Sequence, residues 1–181
     1  MGAVPHVVYR AFTIDYHGKS NKLRTQITIS NGERSITGTA LWDTGATTTC
    51  ISESVAQQLS LVPTGMMNIQ TPSSTKSVNT YLVNVGLPNH LNVNDVQVCD
   101  TDIGKQGLEM LIGMDIITLG DFSVSNYNDK TVFTFRVPSK EKNDFVPQSN
   151  IDNIVGPTHG KGKTKRRKNG KDIFPRIEAL I

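Results

Sequence analysis

The sequence predicts a mainly β protein, a small barrel or sandwich of many short strands. Three observations carry this. Short runs of apolar and β-branched residues recur along the first three quarters of the chain, Gly-rich and Asn-Gly turns separate them, and only one segment has a convincing helical pattern. With 181 residues, of which 36% are apolar and 19% charged, the chain suits one compact domain plus some unpacked sequence. Its core should be large enough to fold without metals or disulfides.

Taken in order, the strand candidates begin with Val7 to Ile14. Leu23 to Ser30 places Leu23, Ile27 and Ile29 among β-branched neighbours, Asn31-Gly32 follows as a turn, and the chain returns through Ile36 to Trp42. This reads as a hairpin whose second strand ends at Asp43. Cys50-Ile51, Met66 to Thr71, Ser77 to Leu87, Leu91 to Cys99, Met110 to Ile112 and Val132 to Val137 complete the strands. The helix is Ser52 to Leu59, with Ser52 or Ser54 as N-cap and Val55, Ala56 and Leu59 on one side. Asp115 to Leu119 reads as one further short turn ended by Gly120.

The net charge of +3 conceals an asymmetry. From residue 159 onward eight Lys and Arg face two acidic residues, a local +6, while the remainder carries 11 basic and 14 acidic residues, or −3. After Pro138-Ser139-Lys140 the apolar residues thin out, and Pro147, Gly156, Pro157, Gly160 and Gly162 interrupt any regular pattern. The expected organisation is therefore an N-terminal extension (1–21), a folded domain (22–138) and a basic, disordered tail (139–181). Lys161 to Lys171 admits three readings: a solvated tail, attachment to nucleic acid or an acidic partner, or a docking or cleavable segment. It has no interleaved aromatic for base stacking.

Chemistry concentrates in Ala40-Leu41-Trp42-Asp43-Thr44-Gly45-Ala46, where an apolar run delivers one carboxylate into a Thr-Gly turn. Thr47, Thr48 and Thr49 read as strand-compatible residues of the outgoing segment. A turn or cap aspartate is the plain reading of Asp43, since three residues recur by chance. The catalytic reading needs two carboxylates close enough to share a proton, because like charges in contact cannot both ionise. Only one Asp-Thr-Gly is present; Asp100-Thr101-Asp102 and Asp115-Ile116-Ile117 lack the Thr-Gly pair.

Together with the strand, turn and strand of residues 23 to 42 and the later Met110-Leu111-Ile112-Gly113-Met114-Asp115-Ile116-Ile117, this loop resembles the retropepsins, the retroviral-type aspartic proteases, over about residues 22–137. The helix after Cys50 is more similar to cellular and bacterial members. The resemblance implies a retropepsin-like acid protease barrel with one or two short helices, acting as a homodimer. It implies that Asp43 of each copy holds a water between two carboxylates, that Thr44 locks the two loops together, and that Gly45 allows the sharp turn and donates its amide. Asn68 to Tyr81 resembles the flap that closes over substrate, with its tip near Ser73 to Ser77. Substrate contacts are accordingly expected from Ala46, Ser73, Ser74, Thr75, Lys76 and Ser77, to a peptide with apolar residues at the cut. Tyr81 is either a flap tyrosine over the site or an edge-strand residue. Trp42 is bulkier than the aliphatic residue usual at its position, so the wall behind the site must be repacked or the strand shifted. No metal or cofactor is implied. An inactive dimeric adaptor of the same fold is the alternative.

Cys50 and Cys99 are too few for a disulfide framework and read as buried thiols in a reducing compartment; a bridge between them would need an oxidising location that nothing else in the sequence supports. His6, His17, His90 and His159 lack metal-ligand or Ser/His spacing, and Gly162-Lys163-Thr164 lacks the rest of a phosphate loop. Asp115 reads as a helix N-cap or first-turn residue. The N-terminus shows no signal-peptide pattern, and no window is apolar for the roughly 20 residues a membrane span needs. A soluble, cytoplasmic protein is expected.

Overall fold

The computed structural model describes residues 7–71 and 74–155. The chain divides into two units, Met1–Lys142 and Asn143–Ile181. In chain order the first contains β1 (Arg10–Asp15), β2 (Leu23–Asn31), β3 (Arg34–Trp42), β4 (Cys50–Ser52), helix α1 (Glu53–Gln58), β5 (Gly65–Thr71), β6 (Ser74–Leu87), β7 (Leu91–Thr101), β8 (Met110–Ile112), helix α2 (Met114–Ile117), β9 (Asp121–Ser125) and β10 (Val132–Val137). The second contains helix α3 (Val146–Val155), a regular element inside the segment expected to be an irregular tail. Lys161–Lys171 lies outside the described residues, as does Ser73.

The strands β2-β3-β8-β4-β7-β6 are hydrogen-bonded in that order, and β2 pairs again with β6, which closes a six-membered ring. Pairing around the ring is antiparallel except for β3 with β8 and β4 with β7, which are parallel. The β2–β3 hairpin turns through Gly32-Glu33, between the paired Asn31 and Arg34, with Gly32 at φ +60°. That left-handed backbone is where glycine costs least. Alternation then sends Ile27, Ile29, Val85, Val98, Met110, Ile112 and Ile51 inward, all essentially inaccessible. β5 pairs with β6 but with no other strand of the ring, and β6 meets β7 only from Thr80 onward. The β5–β6 hairpin therefore projects as an arm. Helix α1 is capped by Ser52, whose hydroxyl accepts the Val55 amide, and it buries Val55 and Ala56.

The three-stranded sheet β1-β10-β9 extends beyond the expected boundaries. β1 lies in the stretch read as an N-terminal extension, yet it pairs with β10 along its whole length, from Arg10 opposite Val137 to Asp15 opposite Val132. β9 had no candidate, because its Phe-Ser-Val-Ser core offers only two apolar residues. What recruits both strands is an aromatic cluster. Phe12 of β1, Phe122 of β9 and Phe133 and Phe135 of β10 surround Trp42, with Trp42 ring centroids 5.0 Å from Phe133 and 4.9 Å from Phe135. Trp42 thus repacks the wall behind the site by pointing away into this core, where its indole N–H donates to Thr25 Oγ1 at 3.0 Å. Burial of large rings at tilted and edge-on angles adds to the area term.

At the end of β10, Asp121 accepts hydrogen bonds from Ser139 Oγ at 2.6 Å, the Lys140 amide at 2.9 Å and Arg136 Nε at 2.8 Å. These donors, Ser139 foremost, hold its carboxyl well below the usual carboxylate range.

The aromatic cluster and this carboxylate can each be tested by substitution. Trp42→Ala should lower unfolding free energy by about 3–5 kcal/mol, and Trp42→Phe, which keeps a ring but strips Thr25 of its donor, by about 1–3 kcal/mol, both read by denaturant unfolding. Asp121 has a depressed folded-state pKa, so its stabilisation is present above the unfolded value of about 4 and lost as pH falls below it. Asp121→Asn should therefore be less stable than the wild type at pH 7, with the gap closing below about pH 4 in a series of unfolding curves.

Candidate active site

Asp43 follows the last residue of β3 and is half-buried. Its amide donates to Ile112 O at 2.9 Å, continuing the parallel pairing in which Leu41 lies opposite Leu111 and Trp42 opposite Ile112. The carboxylate is oriented from within its own turn: the Gly45 amide donates to Oδ1 at 2.8 Å, and the Ala46 amide to the Asp43 carbonyl at 3.2 Å. Thr44 and Gly45 are exposed and Ala46 is half-buried.

The outgoing half of the loop is held by α2. Thr49 is wholly buried, donates its hydroxyl to Asp115 Oδ1 at 2.6 Å and its amide to Oδ2 at 2.8 Å, and accepts the Gly113 amide at 3.1 Å. The Met114 amide donates to Ala46 O at 2.8 Å and the Asp115 amide to Thr47 O at 3.3 Å. Gly113 is required by the close approach: a Cβ there would stand 2.7 Å from the Thr48 carbonyl carbon. Asp115 is a first-turn residue of α2, as its sequence position suggests, and its carboxylate is occupied by Thr49 and the Ile116 amide. Thr49 is thus more than one of three strand-compatible threonines; its pairing with Asp115 spans 66 positions and leaves no local signal.

Residues paired across strands share a face. Leu41, Leu111, Cys50 and Cys99 are successive partners on β3, β8, β4 and β7, and form one row on the face opposite Trp42 and Ile112. Alternation returns Asp43 to that face. Leu41, Leu111 and Cys50 are half-buried, so an apolar strip is open to solvent beside the carboxylate. None of the three was among the expected site residues.

The β5–β6 arm has the hairpin form expected of a flap, with one adjustment. Thr71 pairs with Ser74, and Thr75, Lys76 and Ser77 belong to the returning strand opposite Gln70, Ile69 and Asn68. All three are exposed. Lys76 and Ser77 face a groove of about 530 Å³ that also involves Met66, Ile69, Val78 and Ile103. Tyr81 is neither a flap tyrosine nor an edge residue. It sits on β6 between β5 and β7, is buried, and donates its hydroxyl to Asp100 Oδ2 at 2.8 Å, with burial and then this bond pushing its pKa up. Asp100 also accepts the Asn79 amide at 3.0 Å, a clamp where the arm leaves the ring. A larger groove of about 650 Å³, edged by Gln26, Thr37, Asn84 and His90, touches no residue of the Asp43 loop.

Among the described residues no cluster of three or more His, Cys, Asp or Glu could hold a metal ion. Nor does any hydrogen bond among them join Asp43 to a second carboxylate: Asp115 is taken by Thr49, Asp100 by Asn79 and Tyr81, and Asp102 by Lys105. No helix of the described residues is long and apolar enough to cross a membrane.

A retropepsin-like aspartic protease from Rickettsia conorii superposes with a TM-score of 0.50 at 13% identity, over 74% of this chain and 99% of that one. The simian foamy virus (mac) protease gives 0.39 at 20% identity, over 51% and 89% of the two chains. The retroviral protease-like domain of Ddi1 from Leishmania major gives 0.39 at 14% identity, over 64% and 95%. No curated protein sequence matches the chain. The family model for the gag-polyprotein putative aspartyl protease matches residues 20–118, a span that contains the Asp43 loop, the β5–β6 arm and the Gly113–Asp115 support. With a matched span of more than half its length and a closed retropepsin-like barrel beneath it, the chain belongs to this aspartyl protease family.

Proposed function

We propose that the chain is one protomer of a homodimeric aspartic endopeptidase whose two Asp43 carboxylates activate the attacking water. The observation that carries this reading is a half-buried Asp43, oriented by the Gly45 amide and flanked by an apolar strip, with no second carboxylate bonded to it among the described residues. A shared-proton dyad needs two, and a second copy supplies the other. Exposed Thr44 is then available to hydrogen-bond across the dimer axis, and the β5–β6 arm to cover an extended peptide.

The chemistry follows from the pair. With one proton between them, the ionised Asp43 takes a proton from the bound water as it attacks the scissile carbonyl carbon, while the protonated Asp43 donates to the carbonyl oxygen. Collapse of the tetrahedral intermediate breaks the C–N bond, and a proton returned from the dyad leaves with the amine. Leu41, Leu111 and Cys50 favour apolar side chains beside the cut, since apolar surface buried there is worth about 25 cal/mol per Å².

Asp43→Asn should abolish peptide hydrolysis with circular dichroism unchanged, because the amide matches the carboxylate in shape but cannot act as a base. Mixing wild type with excess Asp43→Asn should suppress activity further than dilution alone, since each mixed dimer holds one carboxylate. Activity in the variant, or wild-type activity independent of protein concentration down to a sedimentation-verified monomer, would defeat the reading. Hydrolysis should also follow a bell-shaped pH profile, falling when the dyad is doubly protonated and again when it is doubly ionised. A flat profile across both limbs would point to another reaction class.

A further inference from the structure

One pair of nucleophilic side chains has a chemistry of its own beside that of peptide hydrolysis. Cys50 and Cys99 are both free thiols, they are direct register partners on the parallel strands β4 and β7, and their sulfur atoms are 3.1 Å apart. We infer that Cys50 and Cys99 are an oxidation site, a dithiol that closes reversibly to a disulfide and thereby tightens the loop carrying Asp43.

The geometry favours closure. Paired strands run about 4.8 Å apart, inside the Cα separation of about 4.4–6.8 Å that a disulfide spans, so the bond needs an approach of about 1 Å between the sulfurs and no rearrangement of the sheet. Access is asymmetric, with Cys50 half-buried and Cys99 fully buried. The contact with Cys99, followed by burial, pushes the Cys50 thiol up, while the Cys50 S–H stabilises a Cys99 thiolate and lowers Cys99. Solvent therefore reaches one sulfur, and the other is prepared to resolve it.

With hydrogen peroxide as the oxidant, the steps balance. The Cys50 sulfur attacks one peroxide oxygen and the O–O bond breaks; the displaced oxygen takes the thiol proton and leaves as water, which gives a sulfenic acid. The Cys99 thiolate attacks the Cys50 sulfur and expels hydroxide, which becomes the second water with the proton Cys99 has released. Two thiols lose two electrons and two protons, and peroxide is reduced to two waters. The first step is slow because Cys50 is held protonated, and the second is fast because the partners are already in contact.

The consequence for the loop comes from what surrounds the pair. Cys50 directly follows Thr49, its sulfur lies 3.4 Å from Thr48 O, and the Cys99 amide donates to Thr49 O at 3.2 Å. Closure ties β4 covalently to β7 one residue after Thr49, which Asp115 of α2 holds from the other side.

The full chain is treated with peroxide and followed by intact mass, denatured thiol titration and peptide mapping, and then by amide hydrogen exchange over residues 43–49. The expected result is loss of both titratable thiols, a mass decrease of two hydrogens, a Cys50–Cys99 linked peptide, and exchange in 43–49 slowed severalfold, all restored by dithiothreitol. Cys99→Ser should instead accumulate a sulfenic acid on Cys50, trapped by dimedone, which the wild type does not. Thiols that stay free, disulfides only between chains, or a linked pair with unchanged exchange in 43–49 would each overturn the inference. None of these readouts depends on peptide hydrolysis, so the protease reading and this one can fail separately.

Discussion

The hydrogen-bond junction of buried Thr49 and Gly113 with the exposed Asp115 is the constraint on which the arrangement depends. Thr49 gives both its donors to one carboxylate and accepts an amide from Gly113, so the buried threonine and glycine amide, which would be costly to leave unpaired, are satisfied. Its effect is mechanical. One end of the Asp43 loop is fixed by β3 pairing with β8, and the other end by this junction on α2, which follows β8 directly. Both ends of the loop are thereby referred to one short segment, Met110–Ile117, and the carboxylate is held between them.

From that junction the division of the molecule into two faces follows. Strand alternation about Trp42 sends the large ring to one side and Asp43 to the other. The side with Trp42 is filled by Phe12, Phe122, Phe133 and Phe135, which is why a three-stranded sheet from both ends of the folded unit is needed to complete the core. The opposite side remains partly open as the row Leu41, Leu111 and Cys50. A dry aromatic core behind the loop and an apolar strip in front of it are consequences of one residue's placement.

The arm formed by β5 and the first half of β6 has fewer constraints than the ring. It is joined through β6 alone, and its exposed Met66 and half-buried Ile69 contribute little to a core. Such a segment draws on the low end of local stability, as elements that cover a ligand do. Asp100 ties its base to the ring by accepting from Asn79 and Tyr81, which places Tyr81 at the base of the arm.

By itself the sequence determined the elements whose signals are local. The apolar alternation of β2 and β3, the Ser52 cap of α1, the short apolar runs of β4 and β8, and the Asp-Thr-Gly turn were legible because each depends on residues within a few positions of one another. Through resemblance the same residues pointed to the barrel and to Asp43. Tertiary structure decided whatever depends on distant partners. β1 was legible as a strand in Val7 to Ile14, but its place in the core was not, because β10 and the Trp42 cluster supply it; β9 depends on the same partners and had no local signal. Tyr81 was buried by its pairing with Val98 and its bond to Asp100. Thr49 gained its part from a carboxylate 66 positions away, and Cys50 met Cys99 only because β4 runs parallel beside β7. Periodicity reports which face a residue turns to, whereas which residue waits on that face is settled by strand order, and no local pattern encodes it.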